Sequence, residues 1–255
     1  MSAVKNIVIT GLLFVSAMVC FGDNHYDKLF DQANSLYDEE NYEEAKENYL
    51  QILDAGYASA DLHYNVANVY YKLGSYPMAI LHYEKCLKLQ PGHEDARHNL
   101  TLTNQQIVDK IKRLPEVFYK RWWQSMRNSN SLDGWAWLII VFLFAATVSF
   151  FLFRILMKAQ LKRLFFYLLL VFGAATVYCT IMSIGLYNHI HSEDEAIIFE
   201  STLNVQSAPT KSATTLYVIH SGLKVSVKER KDNWLNITLP DGNEGWVPAN
   251  TIEPI

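Results

Sequence analysis

Residues 27–53 read DKLFDQANSLYDEENYEEAKENYLQIL, and residues 61–87 read DLHYNVANVYYKLGSYPMAILHYEKCL. Set 34 positions apart, Asp27, Ala33, Asn34, Tyr37, Tyr42, Ala45, Tyr49 and Leu53 recur as Asp61, Ala67, Asn68, Tyr71, Tyr76, Ala79, Tyr83 and Leu87. Each copy therefore encodes a pair of helices, A and B. Ala33 and Ala67 let helix A approach helix B closely, Ala45 and Ala79 do the same from helix B, and Tyr49 and Tyr83 fill the wedge between them. Pro91 closes the second copy, where the first has Tyr57. Ala96, Leu100, Ile107 and Ile111 fall at helical spacing, so 93–113 is expected to be a helix that covers the last apolar face.

This pattern resembles the tetratricopeptide repeat, which implies an all-α solenoid whose concave groove is lined by helix A. Counted from the alanine anchors, the groove positions are Phe30, Asn34, Tyr37 and Asp38, then Tyr64, Asn68, Tyr71 and Lys72. Asparagine is mildly unfavourable inside a helix, so a repeated one either hydrogen-bonds an extended peptide or is a solvated residue copied with the repeat. The peptide reading expects Asn68→Ala to weaken a partner while leaving stability unchanged. Repeats that grip a C-terminal carboxylate are similar at Asn34 and Asn65 but carry Lys where Phe30 stands, which argues against recognition of a chain terminus.

The 255 residues carry segments of net charge +1 up to residue 22, −6 over 23–113, +5 over 114–192 and −4 from 193 onward. With a net charge of −4 and no basic stripe, nucleic acid is not an expected partner. The first block, 1–22, has Lys5 ahead of an apolar stretch from Ile7 to Phe21 and reads as an export signal. A lipid anchor on Cys20 would want a small residue before it, and Val19 is there. Cys20, Cys86 and Cys179 fall in different segments, so neither a disulfide framework nor a zinc site is expected.

A tryptophan-rich linker, 114–134, leads to two expected membrane spans. Residues 135–153 are uncharged and reach about 28 Å as a helix, and 164–187 are longer and would tilt. Trp122, Trp123, Trp135, Trp137 and Tyr187 fall at the expected interfaces. The loop 154–163 holds Arg154, Lys158, Lys162 and Arg163 and no acid, which directs it to the cytoplasm; with an export signal, both soluble blocks then lie outside. No ionisable group lies within either span, so ion transport has no residues to use. Ala175, Cys179 and Ser183, and Ala145 with Ser149, give small-residue faces on which the spans can pair as a hairpin or meet a partner's helix.

From 188 to 255 the period becomes two. Leu223, Val225 and Val227 alternate, as do Leu235, Ile237 and Leu239, with turn signals at Ser221-Gly222 and Asp241-Gly242. Leu203 to Pro209, Trp234 and Gly245-Trp-Val-Pro248 resemble a bacterial SH3 domain, which implies a small all-β barrel. Trp234 lies on the pleat face opposite Leu235 and Ile237, so with Trp246 and Pro248 it forms either an aromatic groove or a capped barrel end. Phe199 and Thr251 stand nearest to the tyrosines of a polyproline-binding groove, so a peptide or cell-wall peptide is the expected ligand instead.

No nucleophile elbow, phosphate loop or dinucleotide fingerprint occurs. His93-Glu94 with His98 puts the histidines on different helix faces, and His189, His191 and Glu193 to Glu195 read as a juxtamembrane linker. No cofactor, metal or catalytic residue is expected. The order of parts resembles the BatE-type aerotolerance operon proteins of Gram-negative bacteria. That resemblance implies an inner-membrane scaffold in a complex with other Bat proteins, some with von Willebrand A domains, and a role in oxidative-stress tolerance. The alternative is an envelope sensor or tether whose SH3-like domain binds peptidoglycan. On either reading the chain is a multidomain membrane protein with the bilayer as one partner and a periplasmic or membrane protein as another, and its binding residues are Asn34, Tyr37, Tyr64, Asn68, Tyr71, Lys72, Trp234, Trp246 and Pro248.

Overall fold

The computed structural model describes residues 24–112, 114–115 and 117–255. The expected export signal lies outside the described residues. The chain divides into two compact units, one ending at Tyr57 and the other starting at Ala58.

In the first unit, α1 (Asn24–Asp38) and α2 (Tyr42–Asp54) pair antiparallel. Ala33 and Ala45 are fully buried at their contact, and Tyr49 fills the wedge with its ring edge-on to Phe30. The turn between them passes through Glu40 at φ +63°, where the second copy has Gly74 at φ +74°. A side chain in this left-handed region costs about 1 kcal/mol that the glycine avoids.

The second unit repeats the pair with α3 (Ala60–Lys72) and α4 (Tyr76–Leu89). Ser59 caps α3 by accepting from the Leu62 amide at 3.1 Å, and Pro77 stands in the first turn of α4, where its missing donor is not needed. Ala67 and Ala79 are again fully buried, with Tyr83 between the helices.

His63 and His82 are buried between α3 and α4, Nδ1 to Nδ1 at 3.1 Å, with the His82 ring stacked on Tyr70. One ring must donate and the other accept, so the accepting ring is neutral. Burial lowers both pKa values, and the positive charge of Lys85 lowers them further. Below the ordinary histidine value of about 6.5 the unfolded chain therefore binds more protons than the folded one. Stability is complete above that pH and is lost as pH falls. The melting temperature should drop between about pH 7 and pH 5, and a His63→Leu/His82→Phe variant should lose most of that slope; an unchanged slope would remove the pair as its cause.

The covering helix is shorter than the sequence pattern suggests. α5 (Glu94–Thr103) starts on the His93 ring, whose Nδ1 accepts from the Ala96 amide at 3.2 Å, and it buries Ala96 and Leu100. It then ends in a turn through Asn104, Gln105 and Gln106. These polar residues give the helix no apolar face to continue, and Ile107 and Ile111 find cover elsewhere, as described below. The expected linker 114–134 contains a further helix, α6 (Phe118–Arg127).

α7 (Leu132–Ile155) and α8 (Ala159–Ile190) are both long and apolar enough to cross a membrane. They form an antiparallel hairpin in which Phe142 stacks on Phe172 and Phe153 meets Phe166. Both helices outrun the expected spans, so the basic loop shrinks to 156–158, with Arg154 on α7 and Lys162 and Arg163 in the opening turns of α8. Ser149 and Cys179 are buried in the hairpin itself.

Seven strands follow: β1 (Glu195–Ile198), β2 (Leu203–Gln206), β3 (Thr215–Ile219), β4 (Lys224–Lys231), β5 (Trp234–Thr238), β6 (Glu244–Pro248) and β7 (Ile252–Pro254). They make one antiparallel sheet in the order β3-β2-β6-β5-β4-β1-β7, consistent with an SH3-like domain. Among the described residues no ladder joins the edge strands β3 and β7, so the closed barrel expected from the sequence is not what the hydrogen bonds describe. The alternation expected for Leu223, Val225, Leu235, Ile237 and Leu239 is observed, and all five are buried in one cluster with Val205 and Val247. Gly222 and Gly242, at φ +90° and +88°, make the two signalled turns.

This sheet is packed on the second helical repeat. Strand β1 turns Ala196 and Ile198 into the sheet's own core and Ile197 the other way, into the cluster of Ala79, Ile80 and Cys86, where Ile255 joins it. Lys224 lies 2.8 Å from both Glu84 on α4 and Glu195 on β1. Lys88 donates to the backbone oxygens of Ser192 and Ile255 at 2.6 and 2.5 Å. The segment after α5 is the strap between them: Ile111 packs on the sheet core, Asp109 accepts from the His220 amide at 2.6 Å, and the Leu114 amide donates to the Pro240 carbonyl at 2.9 Å.

Candidate binding surfaces

The repeated asparagine has a partner within its own repeat. Tyr49 Oη donates to Asn34 Oδ1 at 2.5 Å, and Tyr83 Oη donates to Asn68 Oδ1 at 2.5 Å. Asn99 on α5 adds a second donor to Asn68 Oδ1 at 3.0 Å and reaches the Tyr64 hydroxyl at 3.4 Å. An asparagine in helix A and a tyrosine fifteen residues later thus form a cross-helix hydrogen bond, and both members recur in the sequence. The stability expectation for Asn68 is reversed: Asn68→Ala strips the acceptor from two donors and should destabilise by about 1 to 3 kcal/mol in thermal melts, with Tyr83→Phe costing less. An unchanged melt would show the bond to be dispensable.

Among the remaining helix A positions, Phe30, Tyr37, Tyr64 and Tyr71 are half-buried against their own repeat or α5, and Asp38 is exposed. Tyr37 meets Tyr42, Tyr71 meets Tyr76, and the Tyr64 ring lies 4.7 Å from the His93 ring. Lys72 is exposed in the last turn of α3. Cys86, the cysteine nearest these residues, is buried, and burial followed by the charge of Asp61 pushes its thiol up to about 12, so it is not a nucleophile at neutral pH.

On the sheet, Trp234, Trp246 and Pro248 are brought together. Trp234 pairs with Pro248 across β5 and β6, and Trp246 sits between Asn236 on β5 and Gln206 on β2. All lie on the face opposite Leu235, Ile237 and Val247, and all are half-buried. Three oxygens on the same strands, Gln206 Oε1, Asn236 Oδ1 and Thr238 Oγ1, are buried and accept no hydrogen bond from the described residues. Buried acceptors are normally satisfied, and these three lie beneath the aromatic surface, closed to a ligand in this conformation. Phe199 is turned into the helical cluster instead, and Thr251 Oγ1 is spent on the Pro248 carbonyl at 2.7 Å.

A cleft of about 370 Å³ opens where the strap crosses the sheet, lined by Leu114, Glu195, Lys224, Ser226, Thr238 and Pro240. Its cation is already committed. Burial alone would lower the pKa of Lys224, but Glu84 and Glu195 outweigh burial and hold it above the ordinary lysine value. Lys88, Lys224, Glu84 and Asp109 were not singled out in the sequence, because their partners are more than a hundred positions away for all but local pairs.

A tetratricopeptide repeat model matches residues 60–93, which span α3 and α4 and end at His93, the cap of the covering helix. A bacterial SH3 domain model matches residues 201–253, from just before β2 into β7. No curated protein matches the chain. The two domains suggest protein–protein or peptidoglycan interaction.

Proposed function

We propose that the protein is a non-catalytic scaffold of a bacterial inner membrane, anchored by the α7–α8 hairpin and presenting its helical repeats and SH3-like domain to other proteins on the periplasmic side. One observation carries this reading. The sheet and the second repeat lie on opposite sides of the two apolar helices in sequence, yet share a core through Ile197 and Ile255 and are joined by Lys224 and Lys88. A chain that crosses a bilayer and returns can make those contacts, whereas one that crosses once cannot. The outward faces of the hairpin support the same reading: among the described residues Phe144, Val148, Ile181 and Ile184 are exposed.

The BatE-type resemblance adds a partner class, other Bat proteins, and a setting, oxidative-stress tolerance. A second reading is favoured by the Trp234–Trp246–Pro248 surface: peptidoglycan offers sugar rings to stack on indoles. Copurification from crosslinked membranes separates the two. Membrane-protein partners retained after wall digestion support the scaffold; association that disappears with the wall supports the tether.

A further inference from the structure

The helix α6 has a complete apolar arc and no acid. At 100° per residue Phe118, Trp122, Met126, Tyr119 and Trp123 fall within one side, and Lys120, Arg121, Gln124, Ser125 and Arg127 on the other. Only part of that arc is used by the protein. Met126 packs on Trp135, Met182 and Leu186 at one end of the hairpin. Trp123 fits a notch at Gly185, its Cζ2 lying 3.2 Å from where a Cβ would stand. The helix is tied down again by Trp135, whose Nε1 donates to the Arg127 carbonyl at 3.1 Å. Phe118, Tyr119 and Trp122 are left 78%, 58% and 66% exposed, beside the end of the apolar surface that α7 and α8 present.

We propose that α6 is an interfacial membrane helix: Phe118, Tyr119 and Trp122 enter the headgroup layer of the bilayer that α7 and α8 cross, and Lys120 and Arg121 hold the phosphates of anionic phospholipids. This rests on the hairpin being a membrane anchor. Continuity selects the bilayer as the occupant, because the exposed rings share their helix face with Trp123 and Met126, which meet the hairpin at Gly185 and Leu186, within two turns of the end of α8. Charge selects its lipids, because the helix carries three cations and no anion. Large rings with polar edges favour that depth over either water or hydrocarbon. The helix would then fix the height of the soluble domains above the membrane, since the strap that leads into it is pinned to the sheet at Asp109 and Leu114.

The test uses the full chain, with Cys20, Cys86 and Cys179 replaced by alanine, in vesicles of phosphatidylcholine with or without phosphatidylglycerol. Nitroxide labels are placed singly through Tyr119→Cys, Gln124→Cys and Val148→Cys, and collision with oxygen and with a water-soluble nickel chelate is read by electron paramagnetic resonance. The expected result is a Val148→Cys label in hydrocarbon, a Gln124→Cys label in water and a Tyr119→Cys label at headgroup depth, with nickel access at 119 falling severalfold when phosphatidylglycerol is present. A label at 119 as accessible as that at 124, with 148 in hydrocarbon, overturns the interfacial helix and leaves the anchor standing. Equal depth at 119 in both vesicles overturns the anionic-lipid assignment, and a label at 148 in water overturns the anchor itself.

Discussion

Lys224→Met should destabilise the second unit by about 3 kcal/mol, because it strands Glu84 and Glu195 without the cation that both face at 2.8 Å. The low end of the range for a stripped buried pair applies, since the Glu195 side chain is 34% exposed while that of Glu84 is 11% exposed. The effect has a pH signature as well. Burial opposes ionisation of Glu195, but Lys224 overcomes it and holds the carboxyl below the usual carboxylate range. Stability from that group is therefore present above about pH 4.3 and lost as pH falls through the lowered folded-state value. Denaturant melts of the detergent-solubilised chain check both points, and adding Glu84→Gln and Glu195→Gln to Lys224→Met should recover part of the loss. A Lys224→Met chain as stable as the parent would mean that Ile197, Ile255, Lys88 and the strap hold the helices and the sheet together without these ion pairs.

The other large effect separates core from surface in the sheet. Ile237 is fully buried and packed among Leu235, Val247 and Val225, so Ile237→Ala should cost about 2 to 5 kcal/mol and unfold the sheet first. Trp234, half-buried on the opposite face beside Pro248, loses chiefly a cross-strand contact, so Trp234→Ala should cost about 1 kcal/mol. Capture of a peptide or peptidoglycan ligand should fail in Trp234→Ala at a temperature where both parent and variant are folded. Should Trp234→Ala melt as early as Ile237→Ala, the tryptophan is structural and the surface loses its main residue.

Periodicity made much of this legible. The period of 34 located both helix pairs, alternation identified Leu235 and Ile237 as core, and uncharged runs found both long helices. These signals are local, and each failure involves an interaction that is not. Ile107 and Ile111 keep helical spacing outside any helix: Ile107 packs on the helical cluster around Ile80 and Ile111 on the sheet core. Asn34 and Asn68 read as groove residues, and nothing in the sequence signals that their oxygens accept from Tyr49 and Tyr83, fifteen positions later on the partner helix. Lys224 looks like any strand lysine until Glu84, 140 positions earlier, stands opposite it. Barrel closure was not legible, because strand alternation reports which face is buried and says nothing about whether the edges meet.

On the proposed topology the helical repeats and the sheet share one side of a membrane that α7 and α8 cross and recross. Single cysteines introduced by His98→Cys, Lys211→Cys and Ala159→Cys stand on α5, on the loop before β3 and at the start of α8, all exposed. Labelled with an impermeant maleimide in cells opened only at the outer membrane, positions 98 and 211 should react together and 159 only after the inner membrane is permeabilised. Reaction of 98 and 211 from opposite sides, or of 159 along with both, would contradict the account.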